Sequence, residues 1–169
     1  LNLSFKDALS SKNALRNRWR DVLPWNESRV KLKKGDNDYI NASEVPVPKA
    51  GRKYILTQGP LADTSKDFWQ MVWEQNSYVV VMLNRLIEKD IEKCHLYFPS
   101  EKRNSLTFGD FTVSLLAETR HEHYVVRRLL LDGPPAESSR DPLPDTDVAD
   151  TADLRGNGDN QVVCTSANG

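Results

Sequence analysis

The six residues Tyr78-Val-Val-Val-Met-Leu83 limit the fold more than any other stretch of the chain. Valine and its β-branched relatives are stiff at χ1 and suit a pleated backbone, and six residues are too few for a helix of their own. Apolar side chains at both odd and even positions predict a strand covered on both faces, so the run reads as the middle of a sheet. Helices are then needed to supply the cover. Upstream, Gly59 and Pro60 break the chain, and Thr64 followed by Asp67 has the spacing of a capping box. The helix predicted next carries Phe68, Trp69, Met71, Val72 and Trp73 on one broad stripe, which places both tryptophans in the core.

Weaker signals fill in the rest. Residues 5–16 put Phe5, Ala8, Leu9 and Leu15 near helical spacing, although Ser10, Ser11 and Asn13 are poor helix formers. Pro24 and Asn26 divide Trp19 to Leu32 into a short strand, a turn and a second strand. Tyr39 to Val45 and Lys53 to Thr57, joined by a turn over Pro46 to Gly51, predict a hairpin. Further strands are predicted at Cys94 to Phe98, Leu106 to Leu116 and Tyr124 to Leu131. The charged run Glu88, Lys89, Asp90, Glu92 and Lys93 reads as a solvated loop.

Charge divides the chain. Residues 1–131 hold 21 basic and 16 acidic side chains, whereas residues 132–169 hold 2 basic and 8 acidic ones. The second segment also has four prolines, four glycines and no aromatic residue, so it is expected to be a disordered acidic tail that cannot offset its ordering entropy. The excess of basic groups in the first segment is too small for a nucleic-acid stripe, and no apolar run approaches the roughly 20 residues of a membrane-spanning helix. Two cysteines, Cys94 and Cys164, provide no disulfide framework, which points to a reducing intracellular compartment.

Motif chemistry narrows the field further. His95, His121 and His123 lack the ligand spacing of a zinc site, and no phosphate-binding glycine loop or hydrolase elbow is present. Composition and spacing alone therefore give one α+β domain and a tail.

The ordered runs NRWRDVLPWNESRVKL, DYINAS, YILTQGP, DTSKDFWQMVWEQ and VVVMLNRLIEKDIEKCHLYFP, from Asn17 to Pro99, resemble the successive blocks of non-receptor protein tyrosine phosphatases of the type 1 and T-cell subfamily. The resemblance implies an incomplete phosphatase domain over 1–131, the front of the catalytic domain, with a mixed twisted sheet flanked by helices. Residues 132–169 are expected to be unrelated to the family. It implies hydrolysis of phosphotyrosine in proteins, in signal transduction, through a cysteinyl-phosphate intermediate. No cofactor is implied, since the attacking group is a thiolate. Phosphotyrosine proteins or peptides are the implied partners, without nucleic acid or a membrane segment, and the implied location is the cytoplasm or the nucleus.

The same resemblance assigns roles to residues. The block from Arg18 to Val22 corresponds to the phosphotyrosine loop. Trp19 stands where the family has a tyrosine that stacks on the substrate ring, Arg20 and Asp21 would meet the peptide, and Val22 would pack on the ring. The competing readings are a core-filling strand residue for Trp19 and solvated turn charges for Arg20 and Asp21. Glu88 matches the glutamate that pairs with the arginine of the catalytic loop, and Lys93 the lysine near the general acid and the phosphate. Tyr39, Asn41, Ser43, Gln58, Gly59 and Pro60 fall in scaffold blocks, and Cys94 on a cysteine that is not the nucleophile and is expected to be a buried or half-buried thiol.

Neither an H-C-x5-R loop nor a W-P-D triplet occurs in the sequence. Glu88 and Lys93 are therefore expected to stand without their partners, and the chain to be inactive by itself. The alternative is a catalytically dead interaction fragment, or a truncated isoform, that binds partners of the full enzyme. Lacking the second half of the domain, the central run should leave open apolar faces and sheet edges, with poor solubility or chaperone association as the consequence.

Overall fold

The computed structural model describes residues 3–134 and 161–167. In chain order its helices are α1 (Lys6–Leu9) and α2 (Ser65–Glu74), with 3-10 turns at Ser11–Arg16 and Pro48–Ala50. Its strands are β1 (Arg29–Lys31), β2 (Tyr39–Val47), β3 (Arg52–Thr57), β4 (Val79–Met82), β5 (Ile87–Glu88), β6 (Ile91–Glu92), β7 (Ser105–Phe108), β8 (Phe111–Arg120), β9 (Tyr124–Asp132) and β10 (Gln161–Ala167). The described residues fall into two compact units, 3–76 with 84–97, and 77–83 with 98–134 and 161–167.

The first unit carries an antiparallel sheet in the order β1-β2-β3. Its β2–β3 hairpin matches the sequence expectation, and Gly51 turns it with φ near +58°, a left-handed value that suits glycine. Helix α2 also forms as expected. Phe68, Trp69, Met71 and Val72 are buried along one stripe, while Trp73 is only half-buried. The Trp69 Nε1–H donates to the Tyr97 carbonyl at 2.7 Å, and the Phe68 ring meets the rings of Trp69 and Tyr97 edge-on at 5.4 and 4.8 Å.

The capping box does not form. Thr64 Oγ1 accepts from the Leu61 N–H instead, and the Asp67 carboxylate takes the Arg16 guanidinium at 2.6 Å. The helix expected over 5–16 is split, because Ser10 adopts ψ near 138° and ends α1. Asn13 spans the break by donating to the Asp7 carbonyl at 2.7 Å. The first strand expected after Trp19 is absent too, since residues 18–21 bend and pairing starts only at Arg29. No strand forms at Cys94 to Phe98, where His95 N–H is used by the Pro60 carbonyl and the Tyr97 carbonyl by Trp69. The charged run read as a loop makes the small β5–β6 hairpin, whose turn residues Lys89 and Asp90 both have positive φ.

Asn17 stitches this unit together. Its Oδ1 accepts from the Tyr39 hydroxyl at 2.6 Å and from Asn41 Nδ2 at 3.0 Å, and its Nδ2 donates to the carbonyls of Ala8 and Asn13 at 3.1 and 3.3 Å. One amide thereby joins the first helical turns to β2 with all its bonding capacity in use.

The second unit is a five-stranded mixed sheet in the order β4-β10-β9-β8-β7. The β7–β8 hairpin turns at Gly109, β8 and β9 pair antiparallel with a bulge between Leu115 and Ala117, and Phe111, Val113, Val125, Leu129 and Leu131 line the buried face.

Two expectations are corrected here. The Tyr78–Leu83 run is an edge strand and not the middle of the sheet: among the described residues β4 has only β10 beside it, and Val79, Val81 and Leu83 are 58%, 60% and 85% exposed. Within the expected tail, Gln161–Ala167 form an ordered strand, antiparallel to β9 and parallel to β4, with Val162, Val163 and Cys164 buried. Three consecutive apolar residues suffice when a strand lies ready on each side, and the average over a long polar segment conceals them. Residues 135–160 of that expected tail lie outside the described residues.

Replacing Trp69 by alanine removes the largest buried side chain among the described residues and its hydrogen bond to the Tyr97 carbonyl. We expect a loss of about 3–5 kcal/mol in urea unfolding, against about 1–3 kcal/mol for Asn17→Ala. Equal effects of the two would show that the aromatic cluster is not the core of this unit.

Candidate functional site

The loop from Arg18 to Val22 has no regular structure of its own, so its shape depends on what grips its ends. On the entry side the Gln58 amide works in both directions, Nε2 donating to the Arg16 carbonyl and Oε1 accepting from the Arg18 N–H, both at 2.8 Å. On the exit side Asn41 Nδ2 donates to the Val22 carbonyl at 2.9 Å.

Between these grips the Arg18 side chain turns inward and is 7% exposed. Its Nε donates to the Gly59 carbonyl at 2.9 Å, Nη2 to the Pro60 carbonyl at 2.7 Å, and Nη1 to the Glu92 carbonyl at 2.9 Å. The Glu92 carboxylate stands 3.5 Å away. β3 has ended at Thr57, so these carbonyls lie outside its ladder, and that of Pro60 accepts from the His95 N–H as well as from Arg18. Gly59 is restricted to glycine by space, since a Cβ there would collide with the Lys93 carbonyl.

With Arg18 turned inward, Trp19, Arg20, Asp21 and Val22 are all exposed. Trp19 is therefore no core-filling strand residue. The ammonium of Lys93, at the end of β6, sits 5.0 Å from the centroid of its ring. The structure thus brings Lys93 to Trp19. Glu88 is engaged elsewhere, Oε1 accepting the Arg85 N–H at 3.0 Å. In place of the loop arginine and general acid that the sequence lacks, Glu88 and Lys93 each have a local contact.

Cys94 follows Lys93 and is buried beneath this construction, its thiol 3.3 Å from the His95 carbonyl. Burial pushes it up to about 11 against the opposing pull of the Arg18 charge, and burial pushes Cys164 up to about 12. Tyr39 and Asn41 serve as the scaffold that the sequence assigns them. Among the described residues no cluster of His, Cys, Asp and Glu could hold a metal ion, and His121 stacks on Tyr124 at 4.5 Å.

What the sequence reading missed is the role of Arg18, and of Gln58 as its guide. Arg18 was visible only as the first letter of a block, because nothing local distinguishes an inward arginine from the outward Arg20.

Comparison with known proteins agrees with the resemblance. The family model described as protein-tyrosine phosphatase matches residues 13–141, beyond Asp132, where the resemblance was expected to stop. The chain is 50% identical over 123 residues to human tyrosine-protein phosphatase non-receptor type 2, covering 72% of this chain and 29% of that protein. It is 47% identical over 129 residues to the non-receptor type 61F phosphatase of Drosophila melanogaster, covering 74% and 24%. It is 38% identical over 155 residues to the mouse receptor-type phosphatase eta, covering 85% and 12%. The chain thus spans less than a third of the length of these relatives, and by the extent of the family match it belongs to the protein-tyrosine phosphatase family.

Proposed function

We propose that this chain supplies the substrate-facing wall of a phosphotyrosine phosphatase domain, in a protein of the cytoplasm or nucleus that dephosphorylates phosphotyrosine proteins in signal transduction. We further propose that the 169 residues by themselves turn over no phosphotyrosine. The observation carrying the first part is Trp19, a large aromatic exposed on a loop gripped at both ends with a cation beside its ring. Such a wall suits an aromatic ring bearing an anion, with the ring against the indole and the charge toward Lys93. Asp21 is then placed to accept backbone N–H groups of the peptide, Arg20 to meet its acidic side chains, and Val22 to extend the apolar wall. Glu88 and Lys93 are the supporting positions near the reaction itself.

Inactivity of the isolated chain follows from the chemistry. The family reaction breaks the phenolic P–O bond, forms a P–S bond to a thiolate, and gives a proton to the departing phenolate. The sequence contains no H-C-x5-R loop to cradle the phosphoryl oxygens and no W-P-D acid. Of its two thiols both are buried and held neutral, so neither replaces the missing nucleophile.

A purified 169-residue chain is expected to show no turnover of a phosphotyrosine peptide above the uncatalysed rate, and turnover that disappears in Cys94→Ser would sink this reading. Binding should persist without turnover. Trp19→Ala and Asp21→Ala are each expected to weaken phosphopeptide affinity about tenfold or more, and an affinity indifferent to both would remove Trp19 from the recognition surface.

The thiols make a separate prediction. A rise from 9.0 to about 11 leaves Cys94 with about a hundredfold less thiolate at neutral pH than in the unfolded chain, so alkylation should accelerate at least that much in urea. The sign for stability is fixed likewise. Below pH 9 both states keep the proton and the stabilisation is complete, and it is lost as pH climbs toward about 11, because the unfolded chain ionises first. Unfolding free energies that do not fall between pH 8 and pH 11 would contradict the burial of Cys94.

A second reading, an inactive fragment that binds partners of the full enzyme or is captured by chaperones, is favoured by exposed Tyr78, Val79, Val81 and Leu83. Monodisperse sedimentation of the chain at high concentration would count against it.

A further inference from the structure

We propose that Lys93 is a positioning residue for Trp19: its ammonium holds the indole by a cation–π contact, so that the aromatic wall is preset before a phosphoaryl ligand arrives. The proposal rests on the phosphotyrosine-recognition reading for the ligand and on the geometry alone for the contact.

Three independent features converge on this pair. The ammonium stands 5.0 Å from the ring centroid, inside the roughly 6 Å reach of a cation–π attraction, and tryptophan has the strongest such face. The backbone beneath is fixed, because Arg18 binds the Glu92 carbonyl and so locks the pair 18–19 against the pair 92–93. Lys93 itself is held by its N–H to the Leu86 carbonyl at 2.8 Å and by the space left at Gly59 for its own carbonyl. Among the described residues no carboxylate pairs with Lys93, and its neighbour Glu92 lies nearest Arg18 and His95. The indole is thus the partner that the fold gives to this charge.

The consequence is energetic as well as geometric. A tryptophan 42% exposed would otherwise exchange among rotamers and lose that freedom on binding. A wall already fixed avoids that loss, so neutralising Lys93 weakens ligand binding even where the ligand never touches the ammonium.

The test uses the full chain with 5-fluorotryptophan at its four tryptophans, the Trp19 resonance being identified by its disappearance in Trp19→Phe. In the unsubstituted chain Trp19 should give one dispersed fluorine resonance. Lys93→Met, similar in length but neutral, should shift it toward free fluorotryptophan, and Lys93→Arg, which keeps the cation, should restore it. Phosphopeptide affinity should follow in parallel, about three- to tenfold weaker for methionine and recovered for arginine. A Trp19 resonance already at the free position, unmoved by Lys93→Met, or moved equally by methionine and arginine overturns the proposal. A phosphopeptide that binds none of these chains overturns the recognition reading and the ligand half of the proposal, while the fluorine shifts still decide the contact between Lys93 and Trp19.

Discussion

A single guanidinium, that of Arg18, governs the part of this chain that faces outward. It is almost wholly removed from solvent, and its charge is met mainly by the dipoles of three main-chain carbonyls, those of Gly59, Pro60 and Glu92. A buried cation costs several kcal/mol to desolvate unless its donors are satisfied, and the flat fork of arginine satisfies several at fixed angles. The arrangement is self-consistent, since without Arg18 the carbonyls of Gly59 and Glu92 would lose this donor and that of Pro60 would keep only the His95 N–H. The loop that follows can therefore be irregular and still well defined. Its geometry is held by side-chain bonds from Gln58 and Asn41 and by the inward arginine, with no ladder of its own.

That solution differs from the one used by the rest of the molecule. In the second unit the strands β7, β8 and β9 are held by neighbour-to-neighbour pairing, with apolar residues alternating along β7 and the first half of β8 and running together in β9. Around Asn17 and Arg18 specificity comes from polar groups joining residues far apart in sequence, and each has definite partners, so one arrangement is favoured over near alternatives.

The contrast explains what could be read from the letters. The β2–β3 hairpin, helix α2 and the strands within 105–132 were legible because their signals are local: a turn around Gly51, a stripe headed by Phe68 and Trp69, alternation at Val113 and Leu115. The exposure of Trp19 followed from the family resemblance and not from its neighbours, which read equally well as a strand. Arg18 was illegible for a physical reason, since its partners become available only when Gly59 and Pro60 leave the sheet and β6 ends beside them. Asp67 misled in a related way. It has the spacing of a helix cap, but a strong cation from Arg16 competes for the same carboxylate and wins. At β4 and β10 the failure was one of window size, a continuous apolar run overstating burial and a polar average hiding a short strand.

The place of β10 affects the order in which the second unit can assemble. β10, the latest in sequence of the described strands, lies inside the sheet, between β9 and β4, whereas β4 precedes most of the unit in sequence. The β7–β8–β9 meander can zip up as it leaves the ribosome, each strand meeting one just made. The valines of β4 have no such neighbour and must wait, uncovered, until residues 161–167 have been synthesised and inserted beside them. Loop closure over that span comes last and carries the largest entropic cost in the sheet. The earliest strand of this unit is therefore the last to be secured, and a nascent chain halted before β10 presents the same apolar edge for as long as it is halted.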